Sequence, residues 1–238
     1  MTKNKLSSLI IDRLKFFLIK HKWFLLIFII LGIFFKFFPQ IDLYISKLFY
    51  DDNLGFYLDH TAAAQTIYNA VNYATIIIIL LYVIILVLDV VFKKNFFNIG
   101  KKEIIFLAIT LILGPGIIVN GLLKEQVGRP RPEAITNFGG QEQFVPPFTI
   151  SDGCDSNCSF VSGHAALGFY FMAFAFLFTG FKRKKILLFT FTIGVIVSLT
   201  RIIQGRHFFT DTLFAFFFVY MTILLIYELM YGDDVTTK

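Results

Sequence analysis

Histidine and aspartate stand four positions apart near the C-terminal end of the sequence, at His207 and Asp211. Residues at this spacing share one face of a helix, so Asp211 can hold one imidazole nitrogen and leave the other free to attack an electrophile. Arg201 precedes the pair and can bind an anion beside it. The spacing favours a nucleophilic histidine oriented by a carboxylate, with an interfacial ion pair as the alternative.

A second polar group, Ser162, Gly163 and His164, precedes a long apolar stretch. A helix that begins here offers unpaired N–H groups and the positive end of its dipole, both of which favour phosphate. Ser162 can donate its hydroxyl, Gly163 lets the backbone approach closely, and His164 can carry a proton to a leaving group. By itself the tripeptide also fits a capping serine beside an interfacial histidine.

The third group is basic and runs from Lys124 to Pro132. Lys124 and Arg131 can converge on one anion, and an arginine can bind it with two hydrogen bonds. The two prolines end the preceding helix and hold an extended turn. Taken alone, such a group is more often a solvated anchor than a binding site.

Membrane helices must position these groups, because the chain is too apolar for an ordinary cytosolic enzyme. It has 238 residues, of which 57% are hydrophobic and 16% charged, whereas a soluble domain is about 25% charged. A helix needs about 20 apolar residues to cross a bilayer. We therefore expect an all-α polytopic membrane protein with six transmembrane helices, at Trp23–Phe38, Ile67–Phe92, Glu103–Leu123, Phe160–Phe181, Ile186–Gln204 and Asp211–Met230.

Lysine and arginine are concentrated on one side of these helices, in the N-terminal segment and in the loops 93–102 and 182–185. By the positive-inside rule, both termini then face the cytoplasm. All three polar groups fall at the outer face, in or beside the loops 124–159 and 205–210. The net charge of +6 therefore reports topology, and no nucleic-acid partner is expected.

The whole chain, residues 1–238, is interpreted as one membrane-embedded domain. Its first 22 residues form a cytoplasmic or interfacial segment, in which Leu6–Lys20 is either a cationic amphipathic helix or a frayed tail. No small-x-small cleavage site follows Trp23–Phe38, so a retained helix is expected rather than a signal peptide. Gly114-Pro115-Gly116 predicts a kink in the third helix. The sequence does not indicate an oligomeric state.

The coincidence of the three polar groups at one face favours phosphoryl transfer. Together they supply three cations, a helix N-terminus, two histidines and one aspartate, which suits chemistry without a metal or cofactor. The sequence has no HExxH motif, Walker loop or EF-hand loop. A transporter that binds an anion is the competing class, but no inverted repeat is visible and the cations lie at one face.

The three groups resemble the signature of the type 2 phosphatidic acid phosphatase superfamily, which reads K-x6-RP, PSGH and SR-x5-H-x3-D. The first part is complete as Lys124, Arg131 and Pro132. The second has Val161 in place of proline, and the third has Thr200 in place of serine. The resemblance covers about residues 60–230, with the catalytic signature at 124–211.

This resemblance implies a role for each matched residue. His207 would attack phosphorus and form a phosphohistidine, Asp211 would orient it, and His164 would protonate the leaving alkoxide and then activate water. The phosphoryl oxygens would be held by Lys124, Arg131, Arg201, Ser162 and the N–H of Gly163. The implied fold is a bundle of six transmembrane helices in the bacterial inner membrane, with the active site facing the periplasm.

The resemblance also implies a phosphorylated membrane lipid as the substrate. Residues 154–164 and the doubled Arg-Pro pair are similar to bacterial members that dephosphorylate lipid A at the 1- or 4′-position. Undecaprenyl-diphosphate and phosphatidylglycerol-phosphate phosphatases share much of this pattern and remain alternatives. So does transfer of the phosphoryl group to a second lipid. A lipid-binding relative without catalysis would have lost His164, His207 or Asp211, and all three are present.

The two cysteines, Cys154 and Cys158, lie in an outer loop by this topology. Because the periplasm is oxidising, we expect a disulfide between them that ties the loop to the fourth helix. Two free thiols are the alternative.

Overall fold

The computed structural model describes residues 3–92 and 100–235, and most of this part of the chain is helical. Its helices are α1 (Lys3–Lys20), α2 (Lys22–Phe37), α3 (Gln40–Lys47), α4 (Ala62–Phe92), α5 (Lys101–Leu111), α6 (Lys124–Val127), α7 (Gly163–Tyr170), α8 (Gly180–Ile203) and α9 (Phe209–Val235). A π-helix, Ile112–Leu123, joins α5 to α6, and α7 continues as a 3₁₀-helix over Phe171–Leu177.

The chain is a polytopic helical membrane protein. Among the described residues, four stretches are long and apolar enough to cross a bilayer, at Ala62–Ile85, Lys101–Ala134, Gly180–Ile203 and Phe209–Gly232. Helices α1 and α2, bent by 67°, make a fifth if the pair counts as one span. The sequence predicts six spans, and the structure does not establish the sixth.

The difference comes from the predicted fourth helix, residues 160–181. The structure has a shorter apolar helix here, Gly163–Leu177. Its start is delayed because Ser162 caps the helix from an extended conformation. Its end comes early because Phe178 and Thr179 are extended and α8 already begins at Gly180. The basic residues 182–185, predicted as a loop, therefore form the first turns of α8.

The predicted outer loop at 39–66 is more ordered than the sequence indicates. It contains the short helix α3 and a two-stranded antiparallel hairpin, β1 (Tyr50–Asp51) and β2 (Gly55–Phe56). The rings of Tyr50 and Phe56 pack on each other and on Phe138 from the second outer loop. The all-α prediction misses this hairpin, because two-residue strands carry no period of their own.

The predicted kink at Gly114-Pro115-Gly116 takes the form of a π-helix. Pro115 lies inside it and has no N–H to donate, so the regular α-helical bonding cannot continue through this turn. The carbonyl of Pro115 instead accepts a hydrogen bond from the Asn120 side chain at 2.7 Å. The π-helix thereby holds Asn120 towards the start of α7.

Phenylalanine builds the centre of the bundle around α9. Phe214 and Phe217 of α9 pack against Phe28 of α2, and Phe214 also contacts Phe160 just before α7. Helix α4 contacts α7 and α8 but keeps most of its apolar side chains on the outside. Such an exposed apolar surface belongs against lipid rather than water.

The N-terminal segment is a helix up to Lys20, not a frayed tail. It packs against the end of α9, where the ammonium of Lys20 donates to the buried carboxylate of Glu228. Of the basic loop predicted at 93–102, residues 93–99 lie outside the described residues, as do residues 1–2 and 236–238.

Candidate active site

The three polar groups of the sequence meet in one place. The start of α4, the loop after α6 and the end of α8 line a cavity of about 280 Å³, and the start of α7 lies beside it through the stack of His164 on Tyr68. Arg131 and Arg201 line it. The imidazole of His164 interacts electrostatically with both arginines and with Lys124 and His207. The walls also include residues that the sequence analysis did not select: Asp59, Gln65, Tyr68, Gln204 and Arg206.

The start of α7 is a helix terminus capped by Ser162. The hydroxyl of Ser162 accepts a hydrogen bond from the N–H of Ala165 at 3.3 Å, and the N–H of Ser162 donates to the carbonyl of Asp211. Gly163 is the first residue of the helix. A Cβ placed on Gly163 would lie only 2.6 Å from Oδ1 of Asn120. A side chain at this position would therefore require Asn120 or the start of α7 to move, which favours glycine.

His207 is held by a different partner from the one that the spacing predicts. Its Nδ1 lies 2.8 Å from the backbone carbonyl of Ser159 and 3.8 Å from Oδ2 of Asp211. The reason is that α9 begins at Phe209, so His207 precedes the helix and does not share a helical face with Asp211. Oδ2 of Asp211 accepts instead from the N–H of Phe208 and from the hydroxyl of Ser159.

This arrangement leaves His207 neutral, with one unprotonated ring nitrogen. A carbonyl can only accept, so Nδ1 must carry the proton and Nε2 must keep its lone pair. The ring is almost fully buried, and burial lowers the pKa of His207 to about 4. At neutral pH the imidazole is thus unprotonated and able to attack an electrophile.

His164 is placed by an aromatic stack. Its ring lies against Tyr68 of α4, with centroids 4.6 Å apart and planes inclined by 23°. The guanidinium of Arg201 also lies over the ring of Tyr68, 5.0 Å from its centroid. Nε2 of His164 is buried and has no hydrogen-bond partner among the described residues. It is therefore available to exchange a proton with a bound ligand.

Two of the three predicted cations are oriented by neighbouring polar atoms. Arg131 donates from Nε and Nη2 to the carbonyl of Asn157, at 3.2 and 2.8 Å. Arg201 donates from Nη1 to Oε1 of Gln204 at 2.6 Å, while its Nε is buried without a partner among the described residues. Both guanidinium groups keep donors for an anion in the cavity. Lys124 begins α6 and is half-buried.

The two departures from the family signature do not alter the cavity. Val161 is fully buried in the hydrophobic core. The hydroxyl of Thr200 donates back to the carbonyl of Ile196 within α8, at 2.9 Å. Neither side chain supplies a group to the cavity walls.

Arg129 and Asp42 are functional candidates that the sequence analysis missed. The guanidinium of Arg129 is fully buried and pairs with Asp42 of α3 at 2.7 Å and with Asp211 at 2.5 Å. Arg129 belongs to the basic group of the sequence, so its residue type and position could have indicated a functional role. Nothing in the sequence indicates a role for Asp42, which lies 87 residues earlier, because only the tertiary structure brings α3 beside α9.

The structure joins Cys154 and Cys158 by a disulfide. Both residues precede α7, so the bridge closes a short loop and does not tie that loop to a helix. Within residues 3–92 and 100–235, no three His, Cys, Asp or Glu side chains come together in a way that could hold a metal ion.

The chain is similar to known proteins in sequence and in fold. Residues 103–233 match the PAP2 superfamily. The chain is 36% identical over 200 residues to a lipid A 4′-phosphatase of Francisella tularensis subsp. novicida, covering 84% of this chain and 90% of that protein. It is 31% identical over 193 residues to a lipid A 4′-phosphatase of Rhizobium leguminosarum, covering 74% of this chain and 82% of that protein.

A similar fold occurs in a solved structure, that of a transmembrane PAP2-type phosphatidylglycerolphosphate phosphatase from Bacillus subtilis. The TM-score is 0.53 at 22% identity, over 90% of this chain and 96% of that one. The resemblance noted in the sequence is thereby confirmed. With more than half of its length matched, and relatives at this level of identity, the chain belongs to the PAP2 superfamily and is a membrane lipid phosphatase.

Proposed function

We propose that this phosphatase hydrolyses the 4′-phosphate of lipid A at the periplasmic face of the bacterial inner membrane, through a phosphohistidine on His207. The observation that carries the mechanism is the hydrogen bond from Nδ1 of His207 to the carbonyl of Ser159, because it leaves Nε2 as an unprotonated nucleophile beside Arg131 and Arg201. The choice of lipid is supported by the names of the relatives that share most of the chain's length.

The reaction follows from the placed groups. Nε2 of His207 attacks phosphorus, the bond between phosphorus and the lipid oxygen breaks, and His164, which enters the step in its protonated form, gives a proton to the departing oxygen. His164 then takes a proton from water as the water attacks the phosphohistidine, which releases phosphate and restores both rings. Lys124, Arg131, Arg201, Ser162 and the N–H of Gly163 hold the phosphoryl oxygens and stabilise the charge that spreads over them.

The polar wall of the cavity favours a head group with hydroxyl and amide groups. Arg206 donates to Asp59 at 2.8 Å and to Glu133 at 2.6 Å, so its charge is already neutralised. Gln65 and Gln204 add amide groups to the same wall. A phosphorylated glucosamine presents matching donors and acceptors around its phosphate.

The proposed topology has six membrane crossings with both termini in the cytoplasm, and the Gly163–Leu177 helix is one of the crossings. Two observations support it. The basic segments 3–22 and 182–185 belong on the cytoplasmic side by the positive-inside rule. The hairpin of β1 and β2 and the disulfide loop lie on the side of the cavity, where an oxidising compartment suits the disulfide.

The first test is phosphate release by the purified protein in detergent with EDTA. Lipid A, undecaprenyl diphosphate and phosphatidylglycerol phosphate are offered side by side. We expect release from lipid A at the 4′-position, located by mass spectrometry of the product, and release unaffected by the chelator. His207→Ala should lose at least about a thousandfold in kcat, the usual order for removal of a nucleophile that works within a catalytic set.

A matched control is His60→Ala, which removes a histidine with a 92% exposed side chain outside the cavity and should leave kcat unchanged. Release from one of the other two lipids alone would contradict the substrate. Full activity of His207→Ala would contradict the mechanism. Binding of all three lipids without release would favour a lipid-binding or phosphate-transferring protein, and transfer is distinguished by supplying a second lipid as acceptor.

A further inference from the structure

A buried junction of charged side chains lies directly behind the nucleophile. Arg129 donates from Nη1 to Asp211 at 2.5 Å and to the hydroxyl of Thr210 at 2.9 Å, and from Nη2 to Asp42 at 2.7 Å. Its Nε donates to the carbonyl of Val145 at 2.8 Å. The side chains of Arg129, Asp42 and Asp211 are all completely inaccessible to solvent. No water competes for these bonds, so the charges act at full strength on what lies beside them.

Asp42 enters this junction as a carboxylate. Its Oδ1 accepts from the N–H of Thr210 at 2.9 Å, and its Oδ2 accepts from the hydroxyl of Thr210 at 2.5 Å and from Arg129. The N–H of Thr210 and the guanidinium of Arg129 can only donate, and they bind one to each oxygen of Asp42, which favours the carboxylate over the protonated acid. Burial raises the pKa of Asp42, and Arg129 opposes that rise. The bonding pattern identifies the ionised form as the one that this site holds.

The net charge of the junction decides how strongly it acts on His207. Arg129 and Asp211 alone would form a neutral pair, and Asp211 would then exert little field on His207. With Asp42 included, the three groups carry one net negative charge. Oδ2 of Asp211, which lies 3.8 Å from Nδ1 of His207, is the point of the junction nearest to the ring. A buried negative charge at this place stabilises the positive charge that develops on an imidazole as its other nitrogen bonds to phosphorus.

We propose that Asp42 and Arg129 are positioning residues for the reaction, which hold Asp211 in place and together set the net charge that acts on His207. The proposal rests on the function proposed above, in which His207 is the nucleophile. It assigns to α3, a helix outside the membrane spans, a part in catalysis without any contact with the substrate. The other charged or titratable groups that face His207 are Arg131, Arg201 and His164, and the variants below leave all three unchanged.

Variants that change the charge of the junction in opposite directions should shift the titration of His207 in opposite directions. Asp42→Asn makes the junction neutral, so His207 should lose its proton at a lower pH than in the natural protein. Arg129→Gln gives the junction two negative charges and should raise that pH. The double variant restores one negative charge and should return the titration of His207 towards that of the natural protein. A junction that served only to hold the fold together would give no such reversal of sign.

The experiment measures kcat and KM as a function of pH for the full-length protein in detergent, with the lipid that the natural protein hydrolyses. The acidic limb of kcat/KM reports the titration of the free enzyme, and the titration of the lipid is common to all variants. We expect shifts of about one pH unit, downward for Asp42→Asn and upward for Arg129→Gln, where one unit is a tenfold change in the protonation constant. For Asp42→Asn we also expect kcat to fall about tenfold with little change in KM.

Thr210→Val is the matched control. It removes the hydroxyl that bonds to both Arg129 and Asp42 but changes no charge. It should weaken the junction without moving the acidic limb. Thermal unfolding and size-exclusion chromatography would show whether Arg129→Gln folds. If it does not, the comparison of Thr210→Val with Asp42→Asn still tests whether the charge of the junction sets the titration of His207.

The proposal is overturned if active Asp42→Asn protein keeps the natural acidic limb, or if Thr210→Val moves the limb by as much. Failure of the proposed function is a separate result, namely no phosphate release by the natural protein from any lipid offered, or full activity of His207→Ala.

Discussion

At the residue scale, the proposed mechanism requires the two nitrogens of His207 to be in different states, one protonated and one free. The Ser159 carbonyl holds the proton on Nδ1, and the pKa lowered to about 4 by burial keeps Nε2 unprotonated at neutral pH. His164 has a free Nε2 and is held by its stack on Tyr68. Each ring is thus fixed by a group that cannot react, and its reactive nitrogen is left open.

Gly163 offers a residue-scale prediction. In Gly163→Ala the new methyl group would lie 2.6 Å from Oδ1 of Asn120, whose amide is itself tied to Pro115. Either the start of α7 or Asn120 must move, so we expect kcat/KM to fall at least about tenfold. The double variant Gly163→Ala/Asn120→Ala removes the clash and should recover part of the loss, as kcat/KM at a fixed lipid concentration in detergent would show.

Gly121→Ala is the control for that prediction, because its added Cβ makes only an ordinary contact of 3.6 Å with the carbonyl of Gly116. It should leave kcat/KM nearly unchanged. Equal losses in Gly163→Ala and in the double variant would mean that the clash with Asn120 is not the cause.

At the element scale, short segments outside the membrane spans orient the site. Helix α3 brings Asp42 to Arg129, and the loop closed by Cys154 and Cys158 brings the carbonyl of Asn157 to Arg131. Asn157 has a positive φ of 51°, which asparagine tolerates better than most residues. Such a conformation is easier to keep in a closed loop than in an open one. The disulfide thus stabilises the segment that holds Arg131, which is proposed to bind phosphate.

Opening this loop should weaken the binding of phosphate more than it slows the chemical step. For Cys154→Ser/Cys158→Ser we expect KM to rise about fivefold, equivalent to the loss of roughly 1 kcal/mol from one hydrogen bond, with kcat little changed. Reductant added to the natural protein should have the same effect on KM and none on the double variant. A fall in kcat at constant KM would show that the loop acts on the catalytic groups instead.

At the scale of the whole molecule, the bundle separates an apolar outer surface from a polar cavity at one end. Helix α4 shows lipid-facing side chains along most of its length, and only 6% of its most apolar 18-residue stretch is buried. The phenylalanine-rich centre around α9 provides the rigid support, since rings packed edge to face leave little freedom of rotation. The cavity can therefore meet a lipid head group while the membrane holds the acyl chains beside the helices.

The proposed orientation in the membrane predicts which positions an impermeant thiol reagent can reach. In a background with both natural cysteines replaced by serine, Ile150→Cys should react in intact spheroplasts, because Ile150 is 80% exposed in the loop on the side of the cavity. Lys184→Cys, at the opposite end of the bundle, should react only after the membrane is permeabilised. The reverse pattern would place the cavity in the cytoplasm and contradict the periplasmic site.

The amino-acid sequence by itself determined the features that depend on local spacing or on composition. These include the membrane class, most of the helices, the cap at Ser162 and the three-part signature that identifies the family. Each can be recognised from the sequence because its physical cause lies within a few neighbouring residues, as with a run of apolar side chains or a serine before a helix.

Only the tertiary structure decided how the polar groups are bonded. The spacing of His207 and Asp211 suggested a direct pair, but α9 begins at Phe209, so the Ser159 carbonyl takes that place. Asp42 meets Arg129 across 87 positions of the chain, and Tyr68 meets His164 across the bundle. Such contacts depend on how helices pack against one another, and packing brings together residues whose separation along the chain has no fixed period.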